Sequence, residues 1–119
     1  MKLRRLLSLS KHKSQLSITI QIQKVWVTMK AWMYILRCAD NSYYTGSTTD
    51  LTIRLYQHQE GIGAKYTQKR LPVELVYCEE YASIKQAFER EKQVQGWSRR
   101  KKEALIDGKF ELLPELSKS

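Results

Sequence analysis

From Trp32 onward, the order of apolar and polar residues outlines a small folded unit. Trp32 to Cys38 is an apolar, β-prone run, as expected of a buried strand. Ala39-Asp40-Asn41-Ser42 is a turn cluster, and Tyr43-Tyr44-Thr45-Gly46 is a second β-prone run. Two such runs across a four-residue turn predict a β-hairpin. Thr49 or Asp50 can cap a helix from Leu51 to about Gln59, ended by Gly61. Residues 61–72 form a loop rich in Lys, Arg, Tyr and Thr. Val73 to Tyr81 alternates as a third strand. Ser83-Ile84-Lys85-Gln86 has the form of a capping box and opens a helix that Gly96 ends; Ser98 caps another, closed by Gly108. The order is β-β-α-β-α-α without internal repeat, which predicts an α+β domain with a small three-stranded antiparallel sheet flanked by helices.

The helix patterns place polar groups on faces that should be apolar. Arg54 and His58 are four apart and share a helix face bordered by Leu51 and Leu55. On the next long helix, Ile84, Ala87 and Phe88 define an apolar stripe whose following position is Glu91. A carboxylate there is costly unless it is paired or metal-bound. Glu89 is the alternative if the stripe is displaced. Tyr34 and Tyr44 lie on the two hairpin strands, where their hydroxyls can converge.

The 119 residues suffice for one domain with a real core. Cys38 and Cys78 are scattered, which suits reduced thiols of an intracellular, cytoplasmic protein that serve as small core groups. No Cys/His cluster suggests zinc, and no apolar run approaches the ~18 residues of a membrane span. The net charge of +9 is uneven. Residues 1–30 hold seven Lys/Arg and no acid; the remainder holds fourteen against twelve. The overall basicity is therefore a poor guide to what the folded part binds. Residues 1–30 compete among three readings: a transit-like segment, a basic arm that adds affinity for nucleic acid, or a non-native extension with Met29 as the natural start. The expected organisation is this extension, a domain over 31–110 and a tail over 111–119.

The polar set suits phosphodiester hydrolysis. A carboxylate holds Mg²⁺ or Mn²⁺, an Arg fork grips phosphate oxygens, and a Tyr or His acts on the attacking water. Within 61–72, Lys65, Tyr66, Thr67, Lys69 and Arg70 interleave cations with an aromatic ring and a hydroxyl, a composition fitted to phosphate contact and base stacking. Arg99, Arg100, Lys101 and Lys102 open the last helix. Cations there oppose the helix dipole, which points to a polyanion partner or to a solvated face. Arg90 and Lys92 are expected in solvent.

The same residues resemble the GIY-YIG nuclease family over about residues 31–107. Met33-Tyr34-Ile35 stands where the first half of that motif belongs, and Tyr44-Thr45-Gly46 where the second half belongs. Arg54, His58 and Glu91 fall at the family's catalytic Arg, frequent His and metal-binding Glu. Gly63-Ala64-Lys65-Tyr66-Thr67, Arg70-Leu71-Pro72 and Gly96-Trp97 resemble the small stand-alone bacterial members. The chain departs from the family with Trp32-Met33 for Gly-Ile, Thr45 for Ile or Val, and Gln95 where Lys is common.

The resemblance implies an endonuclease that cuts nucleic acid, DNA foremost, with one Mg²⁺ or Mn²⁺, in DNA repair or processing. Tyr34 and Tyr44 would act on the water, with Tyr44 favoured as base because Gly46 adjoins it. Arg54 would hold the phosphate, His58 would support a Tyr or relay a proton, and Glu91 would bind the metal. The alternative is a nucleic-acid-binding module on the same fold with little or no cleavage, suggested by Gln95 and by the absence of a separate recognition domain.

Overall fold

The computed structural model describes residues 30–116; residues 1–29, and with them the three readings of the basic segment, lie outside the described residues. The elements are β1 (Ala31–Arg37), β2 (Tyr43–Thr48), α1 (Leu51–Gln59), α2 (Lys65–Gln68), β3 (Glu74–Tyr81), α3 (Ile84–Gln95), α4 (Arg99–Ile106), a 3₁₀ turn (Phe110–Leu112) and α5 (Leu113–Leu116). β1 pairs antiparallel with both neighbours, in the order β2-β1-β3. The anticipated order is therefore present, with a helical turn, α2, inside the stretch expected to be loop.

β1 is central and buried on both faces, which explains its nearly continuous apolar run. Met33 and Ile35 face one way and pack with Val94 of α3 and Leu105 of α4. Tyr34 and Leu36 face the other way and pack with Cys38 and Val73, flanked by Leu51 and Leu55 of α1. Each fully buried aliphatic side chain contributes roughly 1.5–3 kcal/mol, so these two clusters anchor the sheet between helices.

The turn and cap residues act as their chemistry predicts. Asn41 adopts φ 68°, and the Asp40 carboxylate accepts from the Ser42 amide at 3.1 Å. Asp50, rather than Thr49, caps α1 by accepting from the Ile53 amide at 3.0 Å. Gly61 takes φ 77° after α1, where its amide and that of Ile62 donate to the carbonyls of His58 and Gln57. Ser83 and Ser98 cap α3 and α4.

Several expectations change. The buried stripe of α3 is Ala87, Glu91 and Val94, while Ile84 and Phe88 are 45% and 48% exposed. Small Ala87 lets the helix approach the sheet, and the larger residues lie on its flank. Glu91 stays inside under this rotation, and Glu89 is exposed. The stretch expected as a tail is helical at 113–116, and Leu113 packs on the Met33 cluster. Arg90 is not free in solvent: its guanidinium pairs with Glu79 at 2.9 Å and lies over the Trp97 ring. Lys101 is buried, its ammonium 4.0 Å from the centre of the same ring. Cys38 is buried as expected, whereas Cys78 is exposed, and both are free thiols.

Candidate active site

The β1–β2 register places Tyr34 opposite Gly46 and Leu36 opposite Tyr44. Tyr34 and Tyr44 are therefore diagonal neighbours on one face, with ring centroids 6.4 Å apart. Tyr34 lies across Gly46: a Cβ there would sit 2.5 Å from Tyr34 Cζ and closer still to the hydroxyl. Glycine is required because the ring occupies the space a side chain would fill.

α1 delivers His58 to the same face. The imidazole is fully buried, with Nε2 2.7 Å from Tyr34 Oη and Nδ1 2.9 Å from Thr67 Oγ1. The direction of this chain follows from its end. The Thr67 hydroxyl donates to the Ala64 carbonyl at 3.0 Å, and a carbonyl can only accept. Thr67 Oγ1 must then accept from His58 Nδ1–H, which leaves Nε2 bare to accept the Tyr34 proton. Gly63 makes room for the ring, since a Cβ there would come 2.6 Å from Nδ1.

Burial lowers the His58 pKa to about 4, assisted by the nearby Arg54 charge, so the imidazole is neutral at ordinary pH. Burial also pushes Tyr34 up to about 12, against the opposing pull of Arg54. Tyr44 is raised by burial as well, again with Arg54 acting to lower it. Arg54 thus lies beside both phenols, and its Nη1 donates to Gln57 at 3.0 Å.

Glu91 approaches from the opposite face of the sheet. It is 9% exposed, and its charge acts to raise the pKa of both tyrosines. Ser47 Oγ donates to Oε1 at 2.6 Å and Gln95 Nε2 donates to Oε2 at 2.7 Å. The same Gln95 nitrogen reaches the Thr45 carbonyl at 3.3 Å. Among the described residues there is no group of three or more His, Cys, Asp or Glu able to enclose a metal ion. Glu91 is the carboxylate near the tyrosines. One carboxylate, oriented by two donors, fits a hard cation that takes few protein ligands and keeps water and phosphate as the rest.

The basic residues divide. Lys65, Lys69 and Arg100 are exposed. Tyr66 stacks on Tyr44, with centroids 6.0 Å apart, and the Arg70 guanidinium covers Tyr66 at 3.7 Å. Arg70 is also paired with Asp40 at 3.0 Å and donates to the Tyr66 carbonyl, so it braces α2. Thr67, expected at the nucleic-acid surface, is fully buried and belongs to the histidine chain. Arg99 is shared among Glu103, the Asn41 carbonyl and the face of Tyr43.

The sequence alone assigns no role to Ser47, no space-making role to Gly63 and no inward role to Thr67. The last two lie in the Gly63–Thr67 segment, whose small residues and hydroxyl, close after His58, were the available signal. Ser47 carried none beyond its position next to Gly46.

Residues 30–104 match the family model described as the GIY-YIG catalytic domain. A UPF0213 protein of Bacillus pumilus is 46% identical over 76 residues, spanning 64% of this chain and 78% of that protein. A UPF0213 protein of Natronomonas pharaonis is 47% identical over 75 residues, 63% of this chain and 88% of its own. The solution NMR structure of a UPF0213 protein from Bacillus halodurans shares 46% identity, covering 66% of this chain and 84% of that one, with a TM-score of 0.45. A family model that matches most of the folded residues, on a site with both tyrosines, the arginine, the histidine and the glutamate in place, shows that the chain belongs to the GIY-YIG family, a catalytic domain of nuclease type.

Proposed function

We propose that this chain is a metal-dependent endonuclease that hydrolyses phosphodiester bonds of nucleic acid, DNA foremost, in the cytoplasm and in DNA repair or processing. The observation that carries the proposal is the directed chain from Tyr34 through His58 and Thr67 to the Ala64 carbonyl. It fixes where the Tyr34 proton points. With that proton committed to His58, Tyr34 Oη can act only as an acceptor, from the neighbouring Arg54 and from a water brought in beside the substrate phosphate. That water is oriented for attack, and a proton it gives to Tyr34 can be matched by the one Tyr34 gives to His58 Nε2. This favours Tyr34 over Tyr44 as the group acting on water. Gly46, the reason for favouring Tyr44, accommodates the Tyr34 ring instead.

Arg54, beside both phenols, grips the non-bridging oxygens of the scissile phosphate and the charge that grows on them. Glu91 would hold Mg²⁺ or Mn²⁺, which when bound polarises the phosphate and stabilises the leaving oxygen. Ser47 and Gln95 hold that carboxylate in a fixed orientation. Lys65, Lys69 and Arg100, exposed on the surface, supply contacts to the phosphate backbone.

The test is strand cleavage by purified protein on duplex, flapped, branched and single-stranded DNA and on RNA, with Mg²⁺ or Mn²⁺. Cleavage should require the metal and be lost in Glu91→Ala and Tyr34→Phe, both checked for folding by thermal melting. Failure of the wild type on every substrate sinks the enzyme reading. Salt-sensitive binding that persists without cleavage would favour a binding module, a reading supported by Gln95 capping the carboxylate where family members commonly carry Lys.

A further inference from the structure

β2 lies at one edge of the sheet, so one side of it has no strand partner. Beside it runs a cleft of about 220 Å³, lined by Tyr43, Tyr44, Thr45, Tyr66, Gln95 and Lys102. Three of these six are tyrosines, one is a cation and none is acidic. The cleft borders the candidate active site through two shared residues. Tyr44 lines it and stands beside Tyr34, and Gln95 lines it while bonding Glu91.

Two of the lining groups, Lys102 and Thr45, are short of a partner. Lys102 takes part in none of the ion pairs among the described residues. Partial burial, and then the charge of Arg99, lower its pKa, a sign that an anion beside it would be stabilising. Thr45 is 4% exposed, and its Oγ1 is the one buried side-chain polar atom among the described residues without a hydrogen bond. Gln95 uses its nitrogen twice. Tyr66 is 38% exposed and is held rigid between Tyr44 and Arg70. A cation, an anchored aromatic ring and polar groups that can turn toward a ligand match an anion that carries a flat ring.

The geometry points to a nucleotide subsite: the cleft takes one nucleotide flanking the scissile phosphate, with Lys102 on its phosphate and its base against Tyr44 and the exposed edge of Tyr66. The volume is below that of ordinary ligand pockets, roughly 300–1,000 Å³, and suits a single ring-and-phosphate unit rather than a stacked pair. A base seated there leaves the helical stack, at the usual cost of a few kcal/mol in duplex and at little cost where it is already unpaired. The assignment rests on the nuclease reading for which phosphate lies next to the cleft, while binding itself needs neither metal nor cleavage.

The experiment uses the full chain with Glu91→Gln, in metal-free buffer, titrated with the 5′-phosphorylated dinucleotide pTpT and with unphosphorylated TpT, and followed by amide and side-chain NMR shifts. Shifts should centre on Tyr43, Tyr44, Thr45, Tyr66 and Gln95. Adding Lys102→Gln should weaken pTpT about tenfold and reduce the salt slope by about 1, and should also weaken TpT, through its one internal phosphate, but by less. Unchanged pTpT affinity in Lys102→Gln, or shifts centred away from the cleft, overturns the subsite. Lys102→Arg restoring affinity would show that the charge, and not a change in folding, carries the effect. A wild-type chain that binds pTpT in the cleft but cuts no substrate would refute the nuclease reading and leave the subsite standing.

Discussion

Thr67 shows how a single hydroxyl can set the state of a buried site. It accepts from His58 Nδ1 because its own proton is committed to the Ala64 carbonyl. Thr67→Val preserves shape and removes the acceptor. A buried N–H left unpaired costs roughly 1–3 kcal/mol, which the ring can relieve by moving its proton to Nε2. Nε2 then donates toward Tyr34 instead of accepting from it. We expect cleavage to fall at least about tenfold in kcat, the scale of one mispositioned proton-transfer group, with substrate affinity retained. Nitrogen NMR of His58 should show the change of tautomer, and Thr67→Ser should restore both tautomer and rate. A Thr67→Val protein with wild-type tautomer and rate would sink the directed chain.

His58 also gives stability a defined pH dependence. Its pKa is about 4 when folded and 6.5 as the ordinary value. Below pH 4 both states carry the proton, and above 6.5 neither does. In between, the unfolded chain binds a proton that the folded chain excludes, so stability rises with pH across that window and is lost on acidification toward 4. The change is on the order of 3 kcal/mol. Glu79 adds a separate loss at lower pH, because hydrogen bonds from Arg90, Tyr77 and Tyr81 outweigh its burial and hold it below its ordinary value. Urea midpoints at pH 7 and pH 4.5 should differ clearly for the wild type and much less for His58→Gln. Equal pH dependence in the two proteins would rule out a buried neutral histidine.

At the scale of elements, β2 is where backbone and chemistry constrain one another. Gly46→Ala leaves strand formation intact but puts a methyl group into the Tyr34 ring. Overpacking of this kind costs about 1–3 kcal/mol, and Tyr34 must swing away from His58 to relieve it. Thermal melting and a loss of cleavage comparable to that of Tyr34→Phe would check this; a fully active Gly46→Ala would show that the ring has room to move. Much of this architecture was legible in the chain. The hairpin followed from apolar runs around Asp40-Asn41, and Gly61 and Gly108 marked helix ends because positive φ is needed there. The helical stripe was less legible. Ile84 and Phe88 have the spacing of a core face, yet α3 meets the sheet through Ala87. Periodicity fixes which residues share a face, and the fit of the smallest one against a sheet decides which face goes inside. Glu91 lay within either reading, so the candidate carboxylate was visible before the packing was. Thr67 was not, because nothing in a run of Lys, Tyr, Thr and Gln tells which member a short helix turns inward.

At the scale of the whole molecule, charge and site occupy different parts of the chain. All the elements that assemble Tyr34, His58, Arg54 and Glu91 lie within 31–95, and residues 31–119 carry fourteen cations against twelve acids. Several of those cations are already engaged: Arg70 with Asp40, Arg90 with Glu79, Arg99 with Glu103. The first 28 residues hold six cations and no acid. Chemistry and long-range attraction should therefore separate experimentally. Each phosphate neutralised by a cation adds about 0.9 to the slope of log affinity against log salt on duplex DNA. A chain starting at Met29 should bind DNA more weakly at low salt, with a slope reduced by as many phosphates as the segment contacts. At saturating substrate its turnover should match the full chain, because no group assigned to the water, the phosphate or the metal has been removed. Equal salt slopes would show that residues 1–28 do not touch DNA. A fall in turnover at saturation would show that they complete the site, and the five residues brought together by the hairpin, α1 and α3 would no longer suffice as its description.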